Sequence, residues 1–231
     1  MWYASGVVDR GPAAYDDVAE AYSRTFDPDG TGLRDPVFTQ LLGDVDGQAV
    51  LALACGQGQD ARLLADLGAD VVAVDISEQM LLRAHEHERA APRGIRYVHG
   101  DARTLEAFAD GSFDGVACHM ALMDIPDLAP AIFSVARVLR RGGWFVFSIV
   151  HPCFRGHVEN VADYLADSRY EKRVPWDALP AHAYHRPISA YVNTLAEAGF
   201  STVRMVEQHH EASPEGDVPG LLYARCVRDH L

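Results

Sequence analysis

From residue 48 onward, apolar-rich runs alternate with amphipathic stretches. Val50-Leu-Ala-Leu, Val71-Val-Ala-Val, Ile95-Arg-Tyr-Val and the seven residues from Trp144 to Val150 stand between segments of helical period. The pattern predicts strands over 48–54, 70–75, 95–98, 113–118 and 144–150, with helices over 59–67, from Ser77 to about 89, and over 127–140. Strand 144–150 is continuously apolar, as a buried central strand requires. Arg140-Arg-Gly-Gly143 supplies the basic residues and glycine that end a helix. Repeated strand–helix alternation of this kind implies a parallel sheet covered on both faces.

The two flanks differ from this rhythm. Upstream, residues 13–25 place Tyr15, Val18 and Tyr22 on one helical face, and a short helix is expected near 36–43. Downstream, residues 151–186 are rich in aromatics, His, Asp and Pro, including Phe154, Tyr164, Tyr170, Trp176 and Tyr184. A long insertion of this sort is more often functional than not. A helix over 187–198 follows, ended by Gly199, and then strands over 200–206 and 221–228. Two successive strands with no helix between them are antiparallel neighbours. The expected fold is α/β: a Rossmann-like, doubly wound, mostly parallel sheet with a final antiparallel strand pair and an inserted lid. One domain spans 1–231, with a helical cap over 1–45 and the lid over 151–186.

Composition narrows the partners. The length of 231 residues and a hydrophobic content of 48% suit one globular domain. The net charge of −13 argues against nucleic acid and against anionic membrane surfaces. No apolar run approaches membrane-spanning length, and Met1-Trp-Tyr-Ala-Ser-Gly lacks the pattern of a secretory signal. Cys55, Cys118, Cys153 and Cys226 are scattered, which fits reduced thiols and a cytoplasmic location. No pair of them has metal spacing, and His209-His210 lacks further ligands, so no metal site is read.

Candidate chemistry collects where the strands end. Cys55-Gly-Gln-Gly58 follows the first strand and Asp75 ends the second. His99-Gly-Asp101 follows the third, Cys118-His-Met120 the fourth and His151-Pro152 the fifth. In a parallel sheet these five ends share one edge, and ligands bind in the crevice there. Gly56 and Gly58 let the backbone turn tightly and approach a ligand, and Asp75 is placed to accept hydrogen bonds from a ribose diol. The glycines alone leave alternatives open. Gly56-Gln-Gly-Gln-Asp-Ala61 also fits a dinucleotide turn, which suits a nicotinamide dehydrogenase.

The full set of motifs resembles the class I S-adenosylmethionine-dependent methyltransferases. Val50–Gly58, Val71–Ser77, His99–Ala102, Ser112–Val116, Val138–Gly143 and Ala196–Phe200 occur in that family's order, over about residues 48–228. His151-Pro-Cys-Phe154 and Tyr184-His-Arg-Pro-Ile188 resemble a branch with small-molecule acceptors. The resemblance implies S-adenosylmethionine as cofactor and roles for named residues. Gly56 and Gly58, on the turn that carries Ala54, would pass its methionine part. Asp75 would hold the ribose, with Ile76 and Met80 against the adenine. Asp101 would accept from the adenine amine, and the Ala102 N–H would donate to the ring. Cys118 would lie under the sulfonium, and Tyr15 and Tyr22 would close over the cofactor.

Two departures stand out. Ala52 occupies the place of the family's motif acid, which helps orient the cofactor's amino group, and Ala54 the place of a glycine. The first keeps a non-methylating descendant in view. Methyl transfer requires the acceptor close to the methyl carbon and opposite sulfur, so positioning supplies much of the rate. An alcohol or carbon acid needs a base as well, and His119, His151 and His185 are the candidates, with Asp124 as an orienter. The aromatic insertion points to an apolar or aromatic small molecule; O, N and C acceptors all remain open.

Overall fold

The computed structural model describes residues 15–27, 35–153, 163–172, 181–209 and 219–229. Phe154 and Trp176, two aromatics of the expected lid, lie outside them. A helix α1 (Ala19–Phe26) and a short α2 (Pro36–Leu42) precede the sheet. Asp35 caps α2: its Oδ1 accepts from the backbone N–H groups of Val37 and Phe38, both at 2.9 Å. The alternating body follows: β1 (Ala49–Leu53), α3 (Gln59–Asp66), β2 (Asp70–Asp75), α4 (Glu78–Ala90), β3 (Arg96–His99), β4 (Phe113–Cys118), α5 (Leu128–Val138) and β5 (Leu139–Val150). A hairpin of β6 (Ser168–Lys172) and β7 (Ala181–His185) leads to α6 (Ile188–Glu197), β8 (Phe200–Gln208) and β9 (Leu221–Arg228).

The main sheet has seven strands in the order β3-β2-β1-β4-β5-β9-β8. The first five are parallel; β9 pairs antiparallel with both β5 and β8. The order reverses between β1 and β4, because β1 pairs with β2 on one side and β4 on the other. This reversal opens a crevice at the carboxyl ends of the two strands. Apolar clusters fill both faces. One gathers Leu51, Leu53, Val116, Ile132, Phe145 and Phe147 under α5 and α6; the other gathers Val50, Ala52, Leu64, Ala73, Trp144 and Val146 under α2 and α3.

Two segments differ from expectation. The helix expected to reach residue 140 ends at Val138, and Arg140-Arg-Gly-Gly143 belongs to β5. The register between β4 and β5 jumps from Phe113–Leu139 to Gly115–Trp144, so the extra residues form a bulge, with Gly142 at φ +74°. The insertion contains the β6–β7 hairpin, which pairs Ser168 with His185 and Lys172 with Ala181.

Candidate active site

A cleft lies over the β1–β4 crevice. The chain leaves β1 through Ala54, at φ +50°, and Gly56, at φ +53°. A Cβ added to Gly56 would meet nothing within 4 Å, so the backbone there faces open space on the cleft wall. Gly58 serves another purpose. It is the N-cap of α3 at φ +85°, and a Cβ on it would sit 2.4 Å from the Tyr97 hydroxyl oxygen. The second glycine therefore permits helix-to-strand packing, and it does not line the cleft.

Asp75 forms the lip at the end of β2 and is only 9% exposed. The Gly56 N–H donates to its Oδ2 at 2.7 Å and the Ser77 N–H to its Oδ1 at 2.8 Å. Burial pushes its carboxyl above the ordinary value, and those backbone donors offset the rise only in part. Ile76 and Met80 continue the wall. Ser77 caps α4, its Oγ accepting from the Met80 N–H at 3.1 Å and donating to Asp16 at 2.6 Å. Across the cleft, Arg103 clamps Asp101: Nε lies 3.1 and 3.0 Å from its two oxygens, and Nη2 lies 2.7 Å from Oδ2. Burial raises the Asp101 carboxyl, but the Arg103 hydrogen bonds outweigh it and hold it below its ordinary value. Ala102 lies on the wall beside it.

The N-terminal segment covers the other side. The Tyr15 hydroxyl donates to Asp124 Oδ2 at 2.8 Å, and its ring meets that of Tyr22 edge-on at 5.9 Å. Both tyrosines line the cleft. Burial and then the Asp124 charge push the Tyr15 phenol well above its ordinary value. Below them, Asp27 at the end of α1 forms a buried ion pair with Arg62 of α3 at 2.5 Å.

The histidines are not brought together. His119 lines the cleft just past β4, between two carboxylates, with Nδ1 3.1 Å from Asp60 and Nε2 3.5 Å from Asp35. Its ring stacks on Phe38 at 4.3 Å. Burial disfavours the charged ring, but Asp60 and Asp35 overcome it and raise the pKa to about 10. His119 is thus an imidazolium near neutral pH, which removes it as a ready proton acceptor. Burial raises the Asp35 carboxyl, yet hydrogen bonds from His119 and Tyr223 hold it at about 2. His151 and His185 lie off the cleft wall. His151 Nε2 meets Glu207 at 2.9 Å while its Nδ1 accepts from the Cys153 N–H at 3.1 Å, and His185 Nε2 donates to the Tyr164 carbonyl at 2.9 Å. Cys118 is fully buried in the core, its thiol pushed up by burial, and Met120 takes its expected place on the wall.

A family model described as a methyltransferase domain matches residues 51–147. The chain is 32% identical over 162 residues to a ubiquinone biosynthesis O-methyltransferase of Aromatoleum aromaticum, covering 69% of this chain and 67% of that one. The chain belongs to the class I S-adenosylmethionine-dependent methyltransferases. It is also similar to a demethylmenaquinone methyltransferase of Renibacterium salmoninarum, 36% identical over 150 residues, or 63% of this chain and 61% of that one. It thus spans less than two thirds of that relative's length. Among solved structures, an S-adenosylmethionine-dependent methyltransferase from Mesorhizobium loti superposes with a TM-score of 0.68 at 26% identity, covering 84% of this chain and 96% of that one.

The family's cofactor is S-adenosylmethionine, and the cleft offers groups that fit it. Open space stands over Gly56, a carboxylate stands at the lip, and Ile76 and Met80 supply an apolar wall for a purine. The nicotinamide alternative loses its support, since Gly58 answers to Tyr97. Several wall residues escaped the sequence reading as site residues, among them Asp60, Arg103, Ile125, Pro126 and Arg169, and Tyr184 was named only as part of the lid. Asp60 and Arg103 lie one or two residues past motif positions, where helical or turn geometry returns a side chain to the edge. Arg169 and Tyr184 face each other in the β6–β7 register, and no periodicity in the insertion marked that hairpin.

Proposed function

We propose that this chain transfers a methyl group from S-adenosylmethionine to a small-molecule acceptor bound between His119, Ile125 and the β6–β7 hairpin. The observation that carries the reading is the Gly56–Asp75 contact at the reversal of the sheet, with the open space above Gly56. In this reading Asp75 holds the ribose, Asp101 and Ala102 the adenine edge, and Ile76 and Met80 its faces. Tyr15 and Tyr22 close the cofactor in, giving the described residues of 1–45 the part of a cap. When bound, the cofactor supplies an electrophilic methyl on a sulfonium that leaves as a neutral thioether.

The chain's own groups position the acceptor and keep water out. Met120, Ile125, Pro126 and Tyr184 form an apolar wall, which supports an apolar or aromatic acceptor and gives the β6–β7 hairpin, within 151–186, the part of a lid. Relatives named for ubiquinone biosynthesis and demethylmenaquinone methylation support the same class. Where the acceptor must lose a proton, Asp124 is the group on the wall that takes it, because His151 and His185 lie elsewhere and His119 is charged. The net charge of −13 disfavours nucleic acid. The four free thiols support a cytoplasmic location, and no helix among the described residues is long and apolar enough to cross a membrane.

Isothermal titration with S-adenosylhomocysteine tests the assignment. Asp75→Ala removes the charged acceptor and is expected to cost about 1.5–3 kcal/mol of binding, roughly 10- to 100-fold. Unchanged affinity in a folded variant overturns it.

A further inference from the structure

The cofactor's methionine end carries an ammonium group, and β1 brings it no acid. Ala52 is 1% exposed, and its register partners are Ala73 on β2 and Ala117 on β4, so a row of three alanines crosses the sheet there. His119 lies two residues beyond Ala117, on the same face by strand alternation. Asp60, in the first turn of α3, reaches the cleft wall beside Gly56 and His119. We propose that Asp60 supplies the negative charge missing at Ala52 and receives the cofactor's ammonium group, with His119 holding it in position. This inference rests on the proposed function.

The charge balance favours Asp60 over its neighbours. Asp35, Asp60 and the His119 imidazolium together leave one net negative charge. Asp35 is spent on the α2 cap, on the Tyr223 hydroxyl at 2.6 Å and on His119, and it does not line the cleft. Asp101 is neutralised by Arg103. Asp75 is assigned to the ribose and Asp124 faces the acceptor end with Tyr15. Among the described residues, the side-chain contact on Asp60 is that of His119 Nδ1 with Oδ1, at 3.1 Å. The ring fixes the carboxylate's direction as a positioning residue, and Oδ2 remains for a second cation.

Two ligands isolate the contact: S-adenosylhomocysteine, which has the amino-acid end, and 5′-methylthioadenosine, which lacks it. Asp60→Asn is expected to weaken S-adenosylhomocysteine about 10- to 100-fold while leaving 5′-methylthioadenosine within about twofold. Equal loss for both ligands, or none for either, overturns the proposal. A measurement on the unaltered chain needs no variant: an S-adenosylhomocysteine analogue with hydrogen in place of the amino group is expected to bind at least about tenfold more weakly than the parent. Equal affinity overturns the ammonium contact. If the unaltered chain fails to bind S-adenosylhomocysteine at all, the proposed function itself falls.

Discussion

An alanine at φ +50° occupies the left-handed region at a cost of about 1–2 kcal/mol. Glycine avoids that cost but gives back roughly 0.4–1 kcal/mol in unfolded-state entropy. Ala54→Gly is therefore expected to stabilise the fold by roughly 0.5–1 kcal/mol, seen as a higher urea midpoint with unchanged slope. His119 makes the opposite kind of contribution, one that depends on pH. Its folded pKa of about 10 lies above the unfolded value, so its stabilisation is complete below about pH 6.5 and is lost as pH rises through about 10. Within that window the unfolding free energy should fall by up to about 1.4 kcal/mol per pH unit. His119→Asn should flatten that slope in urea titrations between these limits. A slope that persists in the variant places the coupling elsewhere. Asp35, held at about 2, acts at the other end: its stabilisation is present above its unfolded value and is lost as pH falls through about 2.

At the scale of elements, a buried ion pair helps tie the N-terminal helix to α3, beside the Gln59 amide that donates to the Phe26 carbonyl at 2.8 Å. Arg62 and Asp27 expose 4% and 0% of their side chains, so removing one charge strands the other in the interior. Arg62→Ala is expected to cost about 3–5 kcal/mol and, by loosening α1, to weaken S-adenosylhomocysteine binding as well. A stability loss with cofactor affinity intact would show that the ion pair is not needed to seat Tyr22. The strands that carry the site were legible because parallel strands, buried on both faces, are written as apolar runs; β2 matches its expected span of 70–75. Asp75, Gly56 and Asp101 were legible because each follows such a run. Arg140–Gly143 misled because the residues that stop a helix also make a bulge. His119 was placed on the cleft from sequence, but its charge state depends on Asp35, which arrives from a different element and leaves no local trace.

Across the whole molecule, the order of strands in space differs most from their order in the chain at the antiparallel end. β9 lies between β5 and β8, and pairs such as Val150–Leu221 and Trp144–Val227 join segments distant in sequence. Until those residues are in place, β5, apolar from Trp144 to Val150 but for Ser148, presents one bare edge. Time therefore enters the design. During synthesis the parallel half can assemble first, and then it must wait with an adhesive flank exposed, the situation in which chains pair with copies of themselves. A chain stopped before Leu221 is expected to gather in the insoluble fraction, where the full chain does not. The cofactor cleft, whose wall residues all precede β8 in the chain, would then owe its survival to a strand that lines none of it.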